Sequence, residues 1–214
     1  MFLGCGSMNV LKEHDVNKLD NFICGWYDED MVNMSDRLID HYNSIPDKKP
    51  GVIRNYMGQL VETPNVKSSI EITLFEHDIV TQDYYRLLQK AVTKYVEKYP
   101  WCNKFGPWAP KQHINLQHYK PGDGFYAWHS ERTSHREPST SRHLVFMTYL
   151  NDVTDGGETE FFHQKVKIKP EKGLTIVWPA DWTFTHRGIT SLTQDKFIAT
   201  GWFNYVEDFE LINV

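Results

Sequence analysis

From Pro110 onward the sequence is cut into short apolar or alternating runs separated by turn residues. The runs are His113–Tyr119, Leu144–Leu150, Thr159–Phe162, Val166–Ile168, Leu174–Trp178 and Phe197–Tyr205, and PGDG, DGG and EKG punctuate them. Such runs read as strands bounded by turns. At this spacing they predict a sandwich or barrel of the jelly-roll kind. The first half is mixed. Asp28 is placed to cap a helix running to about Tyr42, with Met31, Leu38 and Ile39 among its apolar positions. Ser44–Gly51, SIPDKKPG, breaks that helix, and Ile70–Phe75 reads as a short strand. Thr81 to about Tyr99 reads as a second helix, with Tyr84, Leu87, Leu88, Val92 and Tyr95 forming a core-facing seam. The expected fold is therefore α+β and mainly β, a jelly-roll core buttressed by N-terminal helices.

With 214 residues and no flexible linker, one domain over 1–214 is expected. Residues 1–110 would supply helical support and edge strands, and 111–208 the core. The formal net charge of −5 gives no reason to expect nucleic acid as a partner. No apolar run approaches membrane-spanning length. The start, MFLGCGSMNV, lacks a basic region and is too short in its apolar stretch for a signal peptide; its LGC lacks the apolar run of a lipoprotein site. Cys5, Cys24 and Cys102 are odd in number and form no CxxC pair, which points to a reducing, cytoplasmic setting.

The chemistry is concentrated in FYAWHSE, Phe125–Glu131. In an extended strand His129 and Glu131 share a face, so an imidazole and a carboxylate converge on one ion. His186, just after a predicted strand, is the candidate third ligand. Two His and one carboxylate occupy one face of an octahedral iron(II) and leave three positions open. HxE alone is a common chance pattern, and His113, His118, His135, His143 and His163 compete, His135 first among them. Lys196 follows His186 by ten residues on a strand where Ile198, Thr200 and Trp202 share its face. A keto acid chelating the ion carries a second carboxylate at its far end, which in a buried site needs a cation and hydrogen bonds. Lys196 is the candidate cation, and Tyr119 and Thr159 are candidate hydroxyl donors. Without the triad, Lys196 is an ordinary solvated strand residue.

Taken together, YKPGDGFYAWHSE from Tyr119 to Glu131, then Tyr149-Leu-Asn-Asp, Gly156–Phe161, Lys172-Gly, His186, and Lys196 with Trp202 closely resemble the prolyl 4-hydroxylase-like family of 2-oxoglutarate/Fe(II) oxygenases. The match covers roughly the C-terminal half, in the family's order. The resemblance implies a double-stranded β-helix core and iron held by His129, Glu131 and His186. It implies that Lys196 and Tyr119 bind the distal carboxylate of 2-oxoglutarate, with Thr159 and Tyr149 lining that pocket, and gives Trp202 a packing or a site role. It also implies the reaction, with O2 as oxidant and ascorbate as a stimulant: oxidative decarboxylation of 2-oxoglutarate to succinate and carbon dioxide, coupled to hydroxylation of an unactivated C–H. The implied substrate is a prolyl residue of a peptide or protein, flanked by aromatics such as Tyr126, Trp128 and Trp182; Trp128 is also a candidate for the core. The alternatives are a free amino acid, a nucleotide or another small metabolite, a non-catalytic oxygenase-like binding module, and a cupin-type zinc or manganese protein. One departure stands out. The family's usual acid is Asp, and Glu131 is one methylene longer, so its carboxylate must fold back or the strand must shift. The polar segment Arg132–Arg142 is either a solvated loop or a lid.

Overall fold

The computed structural model of the protein describes residues 11–55, 57 and 59–207. Cys5 with its N-terminal segment, and residue 208, lie outside the described residues. We label the principal strands β1 (Cys24–Tyr27), β2 (Ile70–Leu74), β3 (Ile114–Tyr119), β4 (Arg142–Tyr149), β5 (Thr159–Phe161), β6 (Val166–Ile168), β7 (Leu174–Pro179), β8 (His186–Gly188) and β9 (Lys196–Tyr205). The helices are α1 (Glu29–Ser44) and α2 (Ile79–Lys98). A large antiparallel sheet runs in the order β1, β7, β4, β9, β3, β2, extended at its two edges by Lys12–Glu13 and Lys49–Pro50. A small sheet, ordered β6, β5, β8, faces it.

The residue pattern of β4 explains how the layers meet. Alternate residues of a strand face opposite sides. Leu144 and Phe146 join the cluster made with the helices, while Val145, Met147 and Tyr149 join the cluster between the sheets. Both faces are covered, so the strand reads as one continuous apolar run. On the outer side α1 buries Met31, Met34, Leu38 and Tyr42, and α2 buries Tyr84, Leu88, Ala91, Val92 and Tyr95. Leu87, expected in the same seam, is only partly buried. Each such side chain contributes about 1.5–3 kcal/mol by leaving water. The Asp28 carboxylate accepts from Asp30 N–H at 3.0 Å and caps α1. Lys90 of α2 reaches the carboxylates of Asp28 (2.9 Å) and Asp30 (2.8 Å), tying the two helices together.

Strand β1 and the two-residue rim strands carry no usable alternation, and their pairing is set by the sheet they join. His186, expected just after a strand, instead opens β8. The DGG turn before β5 needs its glycines: Gly156 and Gly157 have φ of +97° and +75°. A Cβ on Gly156 would lie 2.4 Å from the Thr190 carbonyl oxygen. This turn sets the position of the Gly157 carbonyl, which forms part of the site.

Candidate metal and cosubstrate site

The backbones of His129 and His186 bond to each other in both directions, with N–H to O distances of 2.9 and 2.8 Å. This bridge brings the two rings to 4.3 Å between centroids. Each ring then makes the same second contact. Nδ1 of His129 faces the Ala127 carbonyl, and Nδ1 of His186 faces the Phe184 carbonyl, both at 2.9 Å. A carbonyl only accepts, so both Nδ1 atoms carry a proton, and each ring is left with Nε2 to turn toward a ligand. Those Nε2 atoms lie 3.7 Å (His129) and 3.4 Å (His186) from Glu131 Oε1. The three ligand atoms fall within 4.8 Å of one another, the one such group among the described residues. Burial, reinforced by His186, pushes His129 down to about 3, so its imidazole is neutral near pH 7. Burial opposes the charge on Glu131, but its contacts with His186 and His129 and the nearby Arg142 guanidinium together hold it well below the usual carboxylate range. Two imidazoles whose Nε2 atoms converge on one hard anionic oxygen are the donor set that iron(II) takes.

The longer acid is accommodated by a clamp. Oε1 of Glu131 faces the imidazoles, while Oε2 accepts from the Trp202 indole N–H at 2.9 Å and lies 3.4 Å from Arg142 Nη1. Arg142 Nη1 also donates to the Glu131 backbone carbonyl at 2.8 Å. Its guanidinium lies 3.6 Å over the Trp202 ring, and Gln112 Oε1 accepts from Nη2 at 2.9 Å. Trp202 is thereby assigned to the site and not to packing alone, on the strand face it shares with Lys196. Arg142 was not singled out by sequence; it closes a polar loop, and only its tertiary neighbours reveal its place.

At the other end of the site Lys196 is 7 % exposed. Burial lowers its pKa to about 8, against the opposing pull of Glu158. Its ammonium donates to the Gly157 carbonyl at 2.8 Å and lies 5.3 Å over the Tyr119 ring. Among the described residues no carboxylate sits within ion-pair distance of it, so a buried cation keeps two N–H donors without an anion. A ligand carboxylate fits that vacancy in its bonding. Thr159 accepts from the Tyr149 hydroxyl at 2.6 Å, which leaves its own proton for a ligand. Tyr149 therefore stands behind Thr159, not on the cavity wall. Tyr119 does line the cavity, but its single proton goes to Gln117 Oε1 at 2.6 Å and not to the far end of the pocket.

Lys196, Tyr119, Thr159, the triad, Arg142 and Trp202 all line one cavity of about 1310 Å³. Of the competing histidines, His113 lines the same cavity but packs edge-on against Phe75, outside the converging group, while His143 bonds the Cys102 carbonyl, His118 bonds Asp195, and His163 packs edge-on against Trp182. Trp128 is not core. It is 38 % exposed, beneath the Arg187 guanidinium and against Phe162. The Arg132–Arg142 segment is pinned by Arg132 to Asp181 (2.9 Å), Thr133 N–H to Ser139 Oγ (3.1 Å) and Asn204 to the Pro138 carbonyl (2.9 Å).

Residues 114–204 match the family model for the 2OG-Fe(II) oxygenase superfamily, and this span contains all three triad members and Lys196. That span of the chain resembles a 2OG-Fe(II) oxygenase domain. Its fold is shared with a viral collagen prolyl hydroxylase of Paramecium Bursaria Chlorella virus-1 in complex with 2OG (19 % identity, TM-score 0.61, 87 % of this chain and 98 % of that one). It is also shared with a Pseudomonas putida prolyl-4-hydroxylase (14 %, 0.63, 90 % and 97 %). A third similar structure is a Trichoplax adhaerens prolyl hydroxylase bound to a hypoxia inducible factor peptide fragment (15 %, 0.65, 89 % and 87 %). No curated protein sequence matches the chain. The double-stranded β-helix expected from the resemblance is the fold observed. No helix among the described residues is long and apolar enough to cross a membrane.

Proposed function

We propose that this oxygenase domain holds iron(II) through His129, Glu131 and His186, binds 2-oxoglutarate through Lys196 and Thr159, and hydroxylates an unactivated C–H of a prolyl residue in a peptide. The observation that carries this reading is the joint presence, in one cavity, of the converging triad and a buried ammonium that among the described residues makes no ion pair. When bound, iron(II) with 2-oxoglutarate and O2 supplies the oxidising power, converting the keto acid to succinate and carbon dioxide. The chain supplies everything else. The carbonyls of Ala127 and Phe184 fix the imidazole tautomers. Trp202 and Arg142 fix the carboxylate. Lys196 and the Tyr149–Thr159 pair would hold the far carboxylate of 2-oxoglutarate and so orient it in the cavity. Phe125, Trp178 and Phe161 pack about the two imidazoles and keep water from their flanks.

The peptide reading draws support from the cavity's size. A small-ligand site encloses about 300–1,000 Å³, and this one has about 1310 Å³. The three similar structures, prolyl hydroxylases in each case, point the same way. The thiols of Cys24 and Cys102 are free, which suits a reducing, cytoplasmic setting. The test incubates the chain with iron(II) and 2-oxoglutarate, with a no-iron control. Proline-containing peptides, free amino acids and nucleotides are offered in turn. Iron-dependent succinate release and gain of one oxygen atom on a peptide are expected. Oxygen gain only on free amino acids or nucleotides would sink the peptide reading and leave the oxygenase. No iron-dependent succinate at all would sink both.

A further inference from the structure

The inner face of the large sheet should be apolar where two sheets pack. It is so at Met147 and Ile198. Along β3 it is not: the inward residues Asn115, Gln117 and Tyr119 are polar or carry a polar end, while Ile114 and Leu116 face the helices. Asn115 is half-buried, and its carboxamide has no hydrogen-bond partner among the described residues. It lies opposite Thr73 on β2 and Thr200 on β9, and all three line the cavity. Gln117, 6 % exposed, has one fixed orientation. Its Oε1 accepts the Tyr119 proton at 2.6 Å, which leaves both Nε2 hydrogens toward the cavity with no partner. Neither carboxamide is sealed from solvent; both face the open cavity with donors that no protein acceptor uses. Two adjacent carboxamides with unused donors therefore ask for a ligand rich in acceptors.

The position excludes the cosubstrate for Asn115. Along β9 the inward residues run Lys196, Ile198, Thr200, Trp202, and Asn115 pairs with Thr200, four residues from Lys196 and beside the Trp202 that touches Glu131. Four residues of strand span about 13 Å, which separates Asn115 from the ammonium end of the site. The spacing also selects the ligand. Residues i and i+2 of a strand stand about 6.6–6.8 Å apart, and so do same-side carbonyls of another extended chain. From this we infer that Asn115 and Gln117 form a backbone-recognition subsite, each donating to a carbonyl of an extended peptide lying along β3. Asn115 is its specificity-determining member, because Gln117 is also tied to Tyr119. The inference rests on the peptide reading above and gives it a physical basis for preferring a peptide to a free amino acid, which has no second carbonyl in register.

The test separates binding from chemistry. The full chain is loaded with Mn(II) and 2-oxoglutarate, and an end-blocked proline–alanine repeat peptide is titrated in by calorimetry; hydroxylation is measured separately with iron. Asn115→Leu keeps the volume and removes the donors, and Asn115→Asp keeps the shape and removes them as well, so either variant serves if the other folds poorly. Both should weaken peptide binding about tenfold, the worth of one hydrogen bond. Affinity for 2-oxoglutarate without peptide should not change, and a peptide with one reduced amide in register should show no further loss in the variants. A peptide that is hydroxylated with equal affinity in wild type and variants would overturn the inference and leave the peptide reading standing. A peptide that binds in an Asn115-dependent way without gaining oxygen would do the reverse. No peptide binding to the wild type would overturn both.

Discussion

At the residue scale the Glu131 carboxylate stands one methylene further from its backbone than the Asp expected from the resemblance, and the structure compensates. Its second oxygen is held by the Trp202 indole and by Arg142, so the extra methylene is taken up without freeing the ligand oxygen. Trp202→Phe keeps the ring under the guanidinium and removes the donor. It should weaken Mn(II) binding about ten- to a hundredfold, the usual cost of losing a group that orients a metal ligand. Calorimetric titration measures this, and a thermal melt of the metal-free protein should not move. Glu131→Asp cannot reach both the imidazoles and the clamp, so it should lose metal affinity although it restores the family's usual acid; a fully competent Asp variant would show that the clamp does not set the reach. Lys196 gives a pH signature. Burial lowers its pKa to about 8 in the ligand-free protein, so the cation dominates below that and is lost above it. The dissociation constant for 2-oxoglutarate should be flat on the acid side and rise about tenfold per pH unit above about 8, until the carboxylate-bound form also titrates. Lys196→Ala should raise it by roughly ten- to a hundredfold at neutral pH while Mn(II) still binds. An unaltered titration in that variant would remove Lys196 from the site.

At the element scale the decisive contact is between β4 and β9. Phe146 stands opposite Gly201, and a Cβ on Gly201 would meet the tip of the Phe146 ring at 2.5 Å. The strand that carries Lys196 and Trp202 is thus registered against the helix-side core by a missing side chain. Gly201→Ala should destabilise by about 1–3 kcal/mol, as overpacking usually does. Urea unfolding measures the loss, and Phe146→Leu in the same chain should recover part of it. Equal stability of Gly201→Ala and wild type would mean the ring moves aside freely. The strands around this contact were readable because β3, β4, β7 and β9 are long and bounded by turn residues. The strands β1 and β8, and the rim pairs such as Lys67–Ser68 with Gly124–Phe125, were not. Unlike β5 and β6, these segments hold no short apolar run closed by turn residues, and their partners are chosen by the rest of the sheet.

At the scale of the whole molecule a metal held by His129, Glu131 and His186 would join parts of the chain that the sheets alone hold near one another. Anything that binds only the folded state stabilises it, by about 2.7 kcal/mol at a hundredfold excess over the dissociation constant. For a chain of this size that is about 5–10 °C in Tm. Chelation should lower the Tm of metal-loaded wild type by that order, and His186→Ala should show no metal-dependent shift; a shift that survives in His186→Ala would place the ion on other ligands. The sequence by itself determined the strand texture, both helices with the Asp28 cap, the HxE pair and the candidate partners His186 and Lys196. These are local signals, set by side-chain period, turn chemistry and residue type within short windows. It did not determine that Arg142 and Trp202 would grip Glu131, that Tyr119 would spend its proton on Gln117, that Tyr149 would stand behind Thr159, or that Trp128 would lie at the surface. Each of these depends on which groups are brought within hydrogen-bond reach by strands far apart in the chain. A hydrogen bond's direction and a ring's burial are fixed only when those strands have paired in register.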